Sequence, residues 1–325
     1  MFRLAIIGAG QLGSRHLQGL SQLPVDCEID VIDPSSMSLE VARKRFEEMP
    51  GNKAVHCVRY HSAITSLPKK LDYVVISTSA DVRLICLERL LQNSKVKLLL
   101  LEKVLFQRIE DYAKADELIR RHGVKAWVNC PRSAYPIYSE ISEFFHGEKL
   151  IYAQAIGGDW GLGCNGIHFI DLFRAISGQQ LQSLDTEYLD KKVISSKRKG
   201  FIEFTGALHG IYSGGMNVEI ASLQGSLARL LITLRSENRT CIVDETAGVG
   251  FFLDAINGAQ WERKYFRAPY LSELITSLVG EMLQMETSPL PTFEESAKYH
   301  LTFIKSMANF ASKFHDGNEN ICLIT

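Results

Sequence analysis

The segment MFRLAIIGAGQLGSRH at the start of the chain limits the possible folds more than any other feature. An apolar run at residues 3–8 ends in Gly8, Gly10 and Gly13, spaced G-x-G-x-x-G, and a helical pattern follows at once. Each glycine has its own job in such a turn. The first permits the sharp reversal after the strand, the second lets backbone approach a diphosphate, and the third lets the helix lie against the strand. The free N–H groups and partial positive charge at the start of the helix, at Gln11, Leu12 and Gly13, then face the phosphates. The triplet alone is a weak signal. A strand before it, a helix after it and a place in the first βαβ unit make it a dinucleotide-binding fingerprint.

Asp33 strengthens that reading. It closes the second apolar run, 20 residues after Gly13, where a carboxylate can accept hydrogen bonds from the adenosine ribose hydroxyls. A carboxylate there repels a 2′-phosphate, so the expected cofactor is NAD rather than NADP. The pattern continues to residue 129. Apolar runs at 3–8, 28–33, 54–60, 72–77, 96–102 and 124–129 alternate with helical stretches at 11–23, 37–48, 81–92 and 109–122. Runs rich in Val, Ile and Leu suit parallel strands covered on both faces. Their alternation with helices predicts an α/β domain with a doubly wound parallel sheet, a Rossmann domain. Ser77, Thr78 and Ser79, at the end of the fourth run, are placed either to touch ribose or nicotinamide or to cap the next helix.

After residue 129 the texture changes. Pro131 and Pro136 mark a break, a helix is expected at 137–145, and a β-rich region runs from 150 to about 265. The stretches SEN, GG and NG within it suit hairpin turns and antiparallel pairing. One helix interrupts it at 167–177, ending at Gly178. Two more are expected at 271–284 and 293–313, the second opened by a Thr292/Glu295 capping box. The expected division is a Rossmann domain at 1–129 and an α+β domain at 130–325.

Composition excludes other classes. The chain has 325 residues, 46% hydrophobic and 22% charged, with a net charge of −1. That is the balance of a globular protein, without the basic domain that a nucleic-acid partner calls for. The longest apolar run, KLLLLEKVLF, is broken by Glu102 and Lys103, well short of the roughly 18 apolar residues of a membrane span. The first apolar run breaks at Gly8, too early for a secretory signal. The seven cysteines are widely spaced with no C-x-x-C pair, which argues against a disulfide framework or a zinc site. A cytoplasmic protein is expected.

With these motifs in place, the chain resembles the Gfo/Idh/MocA family (glucose–fructose oxidoreductase, inositol dehydrogenase and relatives) over nearly its whole length. The resemblance rests on GAGQLGSRH, on Leu101-Glu102-Lys103-Val104 after the fifth run, on VNCPR at 128–132, on GIHFIDLFRAISG at 166–178 and on LPTFEESAKYH near the end. It implies a second domain built on an open, mainly antiparallel sheet, and assembly as a homodimer or homotetramer. It implies an oxidoreductase that moves a hydride between NAD(P) and an alcohol or ketone carbon of a sugar-like molecule.

The resemblance also assigns roles. Lys103 matches the lysine of the family's Glu-Lys-Pro signature, near the nicotinamide and the reacting oxygen, with Glu102 beside it at the cofactor end. His168 matches the family's catalytic histidine, and imidazole is suited to moving a hydroxyl proton near neutrality. Asp171, three residues on, is placed to orient substrate or imidazole. Arg132 matches a basic residue that faces the family's cleft and can bind a carboxylate or phosphate. Trp160 and Tyr135 are aromatic candidates for the sugar face or for packing.

Two departures stand out. Val104 replaces the signature proline. Cys164 stands where the family often has an aspartate four residues before the histidine, and a thiol is a poorer acceptor; Asn165 or Asp159 could substitute. The segment WGLGCNGIHFIDLF is similar to proteins of bacterial surface-sugar pathways, which implies an amino or acidic sugar as substrate. The same fold includes a yeast galactose-pathway repressor that keeps the dinucleotide site without turnover, and relatives that retain NAD while cleaving glycosides or eliminating. Both remain alternatives. The basic run KKVISSKRKG is expected to form a solvated hairpin, or to attract a phosphorylated substrate.

Overall fold

The computed structural model describes residues 1–314 and 318–325. The six apolar runs of the N-terminal half become β1 (Phe2–Ile7), β2 (Cys27–Ile32), β3 (Val55–His61), β4 (Lys70–Ile76), β5 (Lys95–Leu101) and β6 (Lys125–Val128). They pair in parallel in the order β3-β2-β1-β4-β5-β6. Helices α1 (Gln11–Leu20), α2 (Ser36–Glu47), α3 (Arg83–Asn93) and α4 (Ile109–His122) make the crossovers. The apolar runs are continuous because both faces of a parallel sheet are covered: Leu4, Ala5, Ile6, Val74, Val75, Leu99 and Leu100 are all fully buried. The strand order reverses between β1 and β4, and in open α/β sheets that switch point, at the carboxyl ends of the strands, is where ligands bind. The glycine-rich turn follows β1 there, and Ser77 and Thr78 follow β4.

The second region holds α5 (Pro136–Phe144), β7 (Tyr152–Gly158), α6 (Leu162–Ser177) and nine further strands. These are β8 (Leu181–Asp185), β9 (Ile194–Ser195), β10 (Ile202–Glu203), β11 (Gly206–Tyr212), β12 (Asn217–Leu223), β13 (Leu231–Arg235), β14 (Arg239–Asp244), β15 (Val249–Asp254) and β16 (Trp261–Tyr265). Seven of them join β7 in one eight-stranded sheet in the order β16-β15-β14-β13-β7-β12-β11-β8. Every neighbouring pair is antiparallel except β7 and β12, whose connection carries α6. Burial alternates along these strands: Ala153, Ala155, Ile232, Leu234, Cys241 and Val243 point into the core, while Gln154, Leu231 and Arg235 do not. That period of two is the signature of a sheet with one covered face. The SEN, GG and NG stretches join β13 to β14, β11 to β12 and β15 to β16. The basic run lies on the β9/β10 hairpin, with Lys197, Arg198 and Lys199 exposed.

Two findings correct the reading of the sequence. Helix α6 begins at Leu162, five residues before the expected start at 167, so Cys164 and Asn165 are helical. Gly161, at a φ of +80°, stops the helix from extending further back, and Gly178, at +68°, ends it as expected. The second correction concerns the boundary. The chain divides into two compact units, Met1–Phe106, Glu110–Asn129 and Pro269–Ser296 in one, Gln107–Ile109, Cys130–Ala268 and Ala297–Thr325 in the other. A single cut at 129/130 therefore misplaces residues 269–296. Helix α7 (Leu271–Met285) buries Leu274, Ile275, Leu278, Val279, Met282 and Leu283 within the first unit. A side chain at Gly19 of α1 would collide with Ile275 and the Ser272 carbonyl, and Thr276 donates to the Gly19 carbonyl at 2.8 Å. Helix α8 (Phe293–Ala311) follows, and Thr292 and Glu295 form the expected capping box. Among the described residues no helix is long and apolar enough to cross a membrane.

Candidate functional site

At the carboxyl edge of the first sheet the backbone does most of the building. Gly8 has a φ of +96°, and a side chain there would meet the Thr78 N–H at 2.9 Å. A side chain at Gly13 would run into the Gly8 carbonyl, so helix and strand approach as closely as backbone allows. Gly10 is different: a Cβ there would meet nothing within 4 Å. The second glycine therefore opens onto space, as a turn that must admit a diphosphate should. No side chain caps α1 and no acidic residue occupies its first turn, which leaves the positive end of the helix to an anion. These observations fit a dinucleotide.

The neighbouring side chains brace this turn. The Asp33 carboxylate accepts the Ala9 N–H at 2.7 Å and the Ser35 N–H at 2.8 Å, which ties the end of β2 to the glycine loop. It stays partly exposed. The Ser77 hydroxyl donates to the Gly8 carbonyl at 2.7 Å. The Gln11 side chain is held by Arg45 of α2 at 2.7 Å, and Arg45 also donates to the Ser14 hydroxyl.

At the end of β5 the chain passes through Glu102, Lys103 and Val104, and the Lys103–Val104 peptide is cis. Glu102 is 2% exposed. Its Oε1 meets two buried partners: the His16 Nε2 at 2.7 Å and the Asn129 amide, which donates at 2.7 Å. Burial works against the charge, but the hydrogen bond and charge of His16, with Asn129 and Lys103, hold the Glu102 carboxyl below its usual range. Lys103 itself is half-buried between fully buried neighbours. On its far side Arg83 of α3, 1% exposed, donates to the carbonyls of Val104, Leu105 and Thr78. Desolvation lowers its pKa to about 10. Arg83 carries no motif signal, and Asn129 and His16 are no more than one letter each of VNCPR and GAGQLGSRH. A buried arginine shows only in three dimensions, because sequence puts arginine outside by default.

In the second unit, α6 presents Cys164, Asn165 and His168 on its less buried side, Cys164 and Asn165 lying four and three residues before His168 on neighbouring turns. The Asn165 amide donates to the Trp160 carbonyl at 2.8 Å. The start of α6 is capped from a distance: Glu203 of β10 accepts the N–H groups of Gly163 and, at 3.2 Å, of Cys164. Trp160 donates its indole N–H to the Ala221 carbonyl at 2.8 Å, and its ring meets Phe169 edge-on. Phe169 also lies under the Arg132 guanidinium, 4.6 Å from the ring centre. Arg132 pairs with Glu245 at 3.1 Å, and Tyr138 donates to the same carboxylate at 2.7 Å. Burial opposes the Arg132 charge, but Glu245 outweighs it and keeps the guanidinium above its ordinary proton affinity. Asp171 is fully buried; its carboxylate takes Arg174 at 3.1 Å and the Tyr299 hydroxyl at 2.9 Å. Tyr135 is half-buried against Tyr138. Glu203 and Glu245 were not legible as partners, since each reaches its target across about forty to over a hundred residues of chain.

Residues 2–130 match the family model GFO_IDH_MocA, an oxidoreductase family with an NAD-binding Rossmann fold. None of the curated proteins matches the chain by sequence. Among solved structures, myo-inositol 2-dehydrogenase from Lactobacillus plantarum is 17% identical with a TM-score of 0.69, covering 96% of this chain and 97% of that one. UDP-N-acetylglucosamine 3-dehydrogenase GnnA from Acidithiobacillus ferrooxidans is 13% identical with a TM-score of 0.70, covering 94% and 96%. A super-repressor mutant of Gal80p from Saccharomyces cerevisiae is 12% identical with a TM-score of 0.73, covering 96% of each chain. At such identities the likeness establishes the fold.

Proposed function

We propose, for a chain whose N-terminal domain is that of the Gfo/Idh/MocA oxidoreductases, an NAD-dependent dehydrogenase or reductase acting on an alcohol or ketone carbon of a sugar-like molecule. The observation that carries this reading is the carboxyl edge of the first sheet. There the turn opens at Gly10, the α1 N-terminus has no side-chain cap, and Lys103 stands at the end of β5 on a braced segment.

A bound nicotinamide would supply the hydride acceptor or donor. The residues supply the rest. The first turn of α1 binds the diphosphate through Gln11, Leu12 and Gly13. Asp33, with lone pairs beyond its two backbone bonds, accepts the ribose hydroxyls. The Lys103 ammonium donates to the reacting oxygen and stabilises the negative charge that gathers on it. His168 takes the hydroxyl proton in oxidation and returns it in reduction. Cys164, with Asn165, gives a neutral hydrogen-bonding surface beside His168, and Trp160 offers a flat apolar face suited to a sugar ring. Arg132 and Asp171 serve this reading as supports, because Glu245 engages the first and Arg174 and Tyr299 engage the second. The substrate class we favour is an amino or acidic sugar, free or nucleotide-linked, and the assembly a homodimer or homotetramer.

One observation favours a second reading. The family aspartate is Cys164 here, and with a weaker acceptor beside His168 the chain could bind NAD as a sensor without turning it over. The test is to supply purified protein with NAD and a panel of sugars and nucleotide sugars, following reduced-nicotinamide absorbance and product by mass spectrometry. Absorbance that rises with one sugar class and disappears in K103M and H168N supports the enzyme. Tight NAD binding with neither absorbance change nor altered sugar across the panel sinks it and leaves the sensor. Altered sugar without net absorbance change assigns instead an NAD-retaining lyase or glycosidase.

A further inference from the structure

The carboxyl edge of the first sheet contains more buried polar chemistry than a diphosphate turn needs. Three groups of it meet the short segment Glu102-Lys103-Val104-Leu105. Before Lys103, the Glu102 carboxylate is held by His16 from α1 and by Asn129 from the end of β6. After Lys103, Arg83 from α3 holds two consecutive carbonyls and the Thr78 carbonyl at the end of β4. His16 is fully buried and Asn129 is 3% exposed. Among the described residues the His16 Nδ1 and the Asn129 Oδ1 find no partner. Arg83 pairs with no carboxylate within ion-pair distance there, and its Nε is unsatisfied.

Leaving such groups in an apolar interior is unfavourable. Each unmet buried polar atom lowers stability, and an unpaired buried charge lowers it more. Replacing the whole cluster by apolar residues of similar volume would cost little or nothing, whereas removing one member strands its partners, so stability alone does not account for the cluster. What the cluster does achieve is geometric. The two clamps fix the backbone on both sides of one residue, and that residue is the half-buried Lys103.

We infer that His16 and Arg83 are positioning residues for Lys103, His16 acting through the Glu102 carboxylate and Arg83 through the carbonyls of Val104, Leu105 and Thr78. This rests on the role proposed for Lys103 but not on any turnover. The charged and titratable groups that face Glu102 are His16 on α1, Tyr73 on β4, Arg83 on α3 and Lys103 itself. The His16 imidazole lies within hydrogen-bonding distance of the carboxylate and, with Asn129 and Lys103, favours its ionised form while it is buried. Val104 stands where the family signature has proline, and Arg83 holds that same residue by its carbonyl.

Two readouts test the two arms without substrate or cofactor. For the first arm, the infrared carbonyl stretch of a neutral carboxylic acid is sought in wild type, H16L and H16Q. The expected result is no such band in wild type, a band in H16L that the double variant H16L/E102Q lacks, and no band in H16Q, whose amide can still donate. A role in packing alone predicts no band in H16L, and that result overturns the assignment. For the second arm, acylation of Lys103 is followed by peptide mass spectrometry, with the exposed Lys44 and Lys114 as internal controls. In R83M the Lys103 rate should change by about threefold or more while the controls hold, and R83K should recover part of the difference. If R83M does not fold, R83K is read directly against wild type and should differ by about twofold, because one ammonium cannot span three carbonyls. An unchanged Lys103 rate in the folded variant overturns the clamp. Because neither readout needs NAD or sugar, a failure here is distinct from a failure of the dehydrogenase reading.

Discussion

The carboxyl edge of the first sheet and the open side of α6 are made in different ways. The first is a backbone construction: three glycines and an uncapped helix start, stiffened by Asp33 just past β2, Glu102 just past β5, His16 of α1 and Arg83 of α3. The second is a side-chain construction: Cys164, Asn165 and His168 project from one helix whose start is capped by Glu203 and whose underside is fixed through Asp171, Arg174 and Tyr299. A backbone site serves any ligand that carries the right phosphates, and it tolerates little change. A side-chain site can be rewritten one residue at a time without disturbing the sheet beneath. That difference is the physical reason why the glycine turn is easier to read from sequence than the open side of α6.

The largest expected effect separates the two constructions directly. K103M and H168N should each lower turnover of the substrate found in the panel by about 10²- to 10⁴-fold, measured as initial rates at saturating NAD, with NAD affinity changed in neither. A loss of NAD affinity in H168N would show that the α6 side is not independent of the cofactor half. Next in size is E245A. It leaves the part-buried Arg132 charge and the buried Tyr138 hydroxyl without their shared acceptor and should destabilise the second unit by about 1–3 kcal/mol, read from denaturant unfolding. An unchanged midpoint would mean the pair is adequately solvated. The paired variants G13A and G10A come third. G13A, which collides with the Gly8 carbonyl, should lose both stability and NAD binding. G10A, which meets nothing in the protein, should unfold like wild type yet bind NAD about tenfold more weakly, about 1.4 kcal/mol by calorimetry. Equal NAD affinity in G10A and wild type would place the diphosphate elsewhere.

The smallest effect concerns the scaffold alone. Glu286, just past α7, bridges Lys97 of β5 and Lys125 of β6. Lys125 and then Lys97 lower its pKa from 4.5 to about 2. A carboxyl whose folded value lies below its unfolded value stabilises above the unfolded value and loses that contribution as the pH falls. Wild type should therefore lose thermal stability slightly faster than E286Q between about pH 5 and pH 2, with the two converging at the acid end. Parallel curves would show that the bridge is fully screened.

The sequence by itself determined the first sheet and its turn. Apolar runs of six or seven residues, punctuated by glycines at fixed spacing, leave a parallel doubly wound sheet as the economical fold, and residues 2–130 match the corresponding family model. Those signals are local: each depends on residues within a turn or two of one another. Local signals likewise placed Lys103 at a strand end and His168 on a helix. Only the tertiary structure decided the rest. It moved residues 269–296 into the first unit, because the partner of an amphipathic helix is not encoded in its own pattern and α7 found α1 at Gly19. It put Arg132 and Asp171 in the company of Glu245, Arg174 and Tyr299, and it gathered His16, Arg83, Glu102 and Asn129 around one lysine. Hydrogen bonds between residues far apart in the chain leave no periodicity behind. The partners of a buried charge are chosen by the packing that buries it, so they exist only once the fold does.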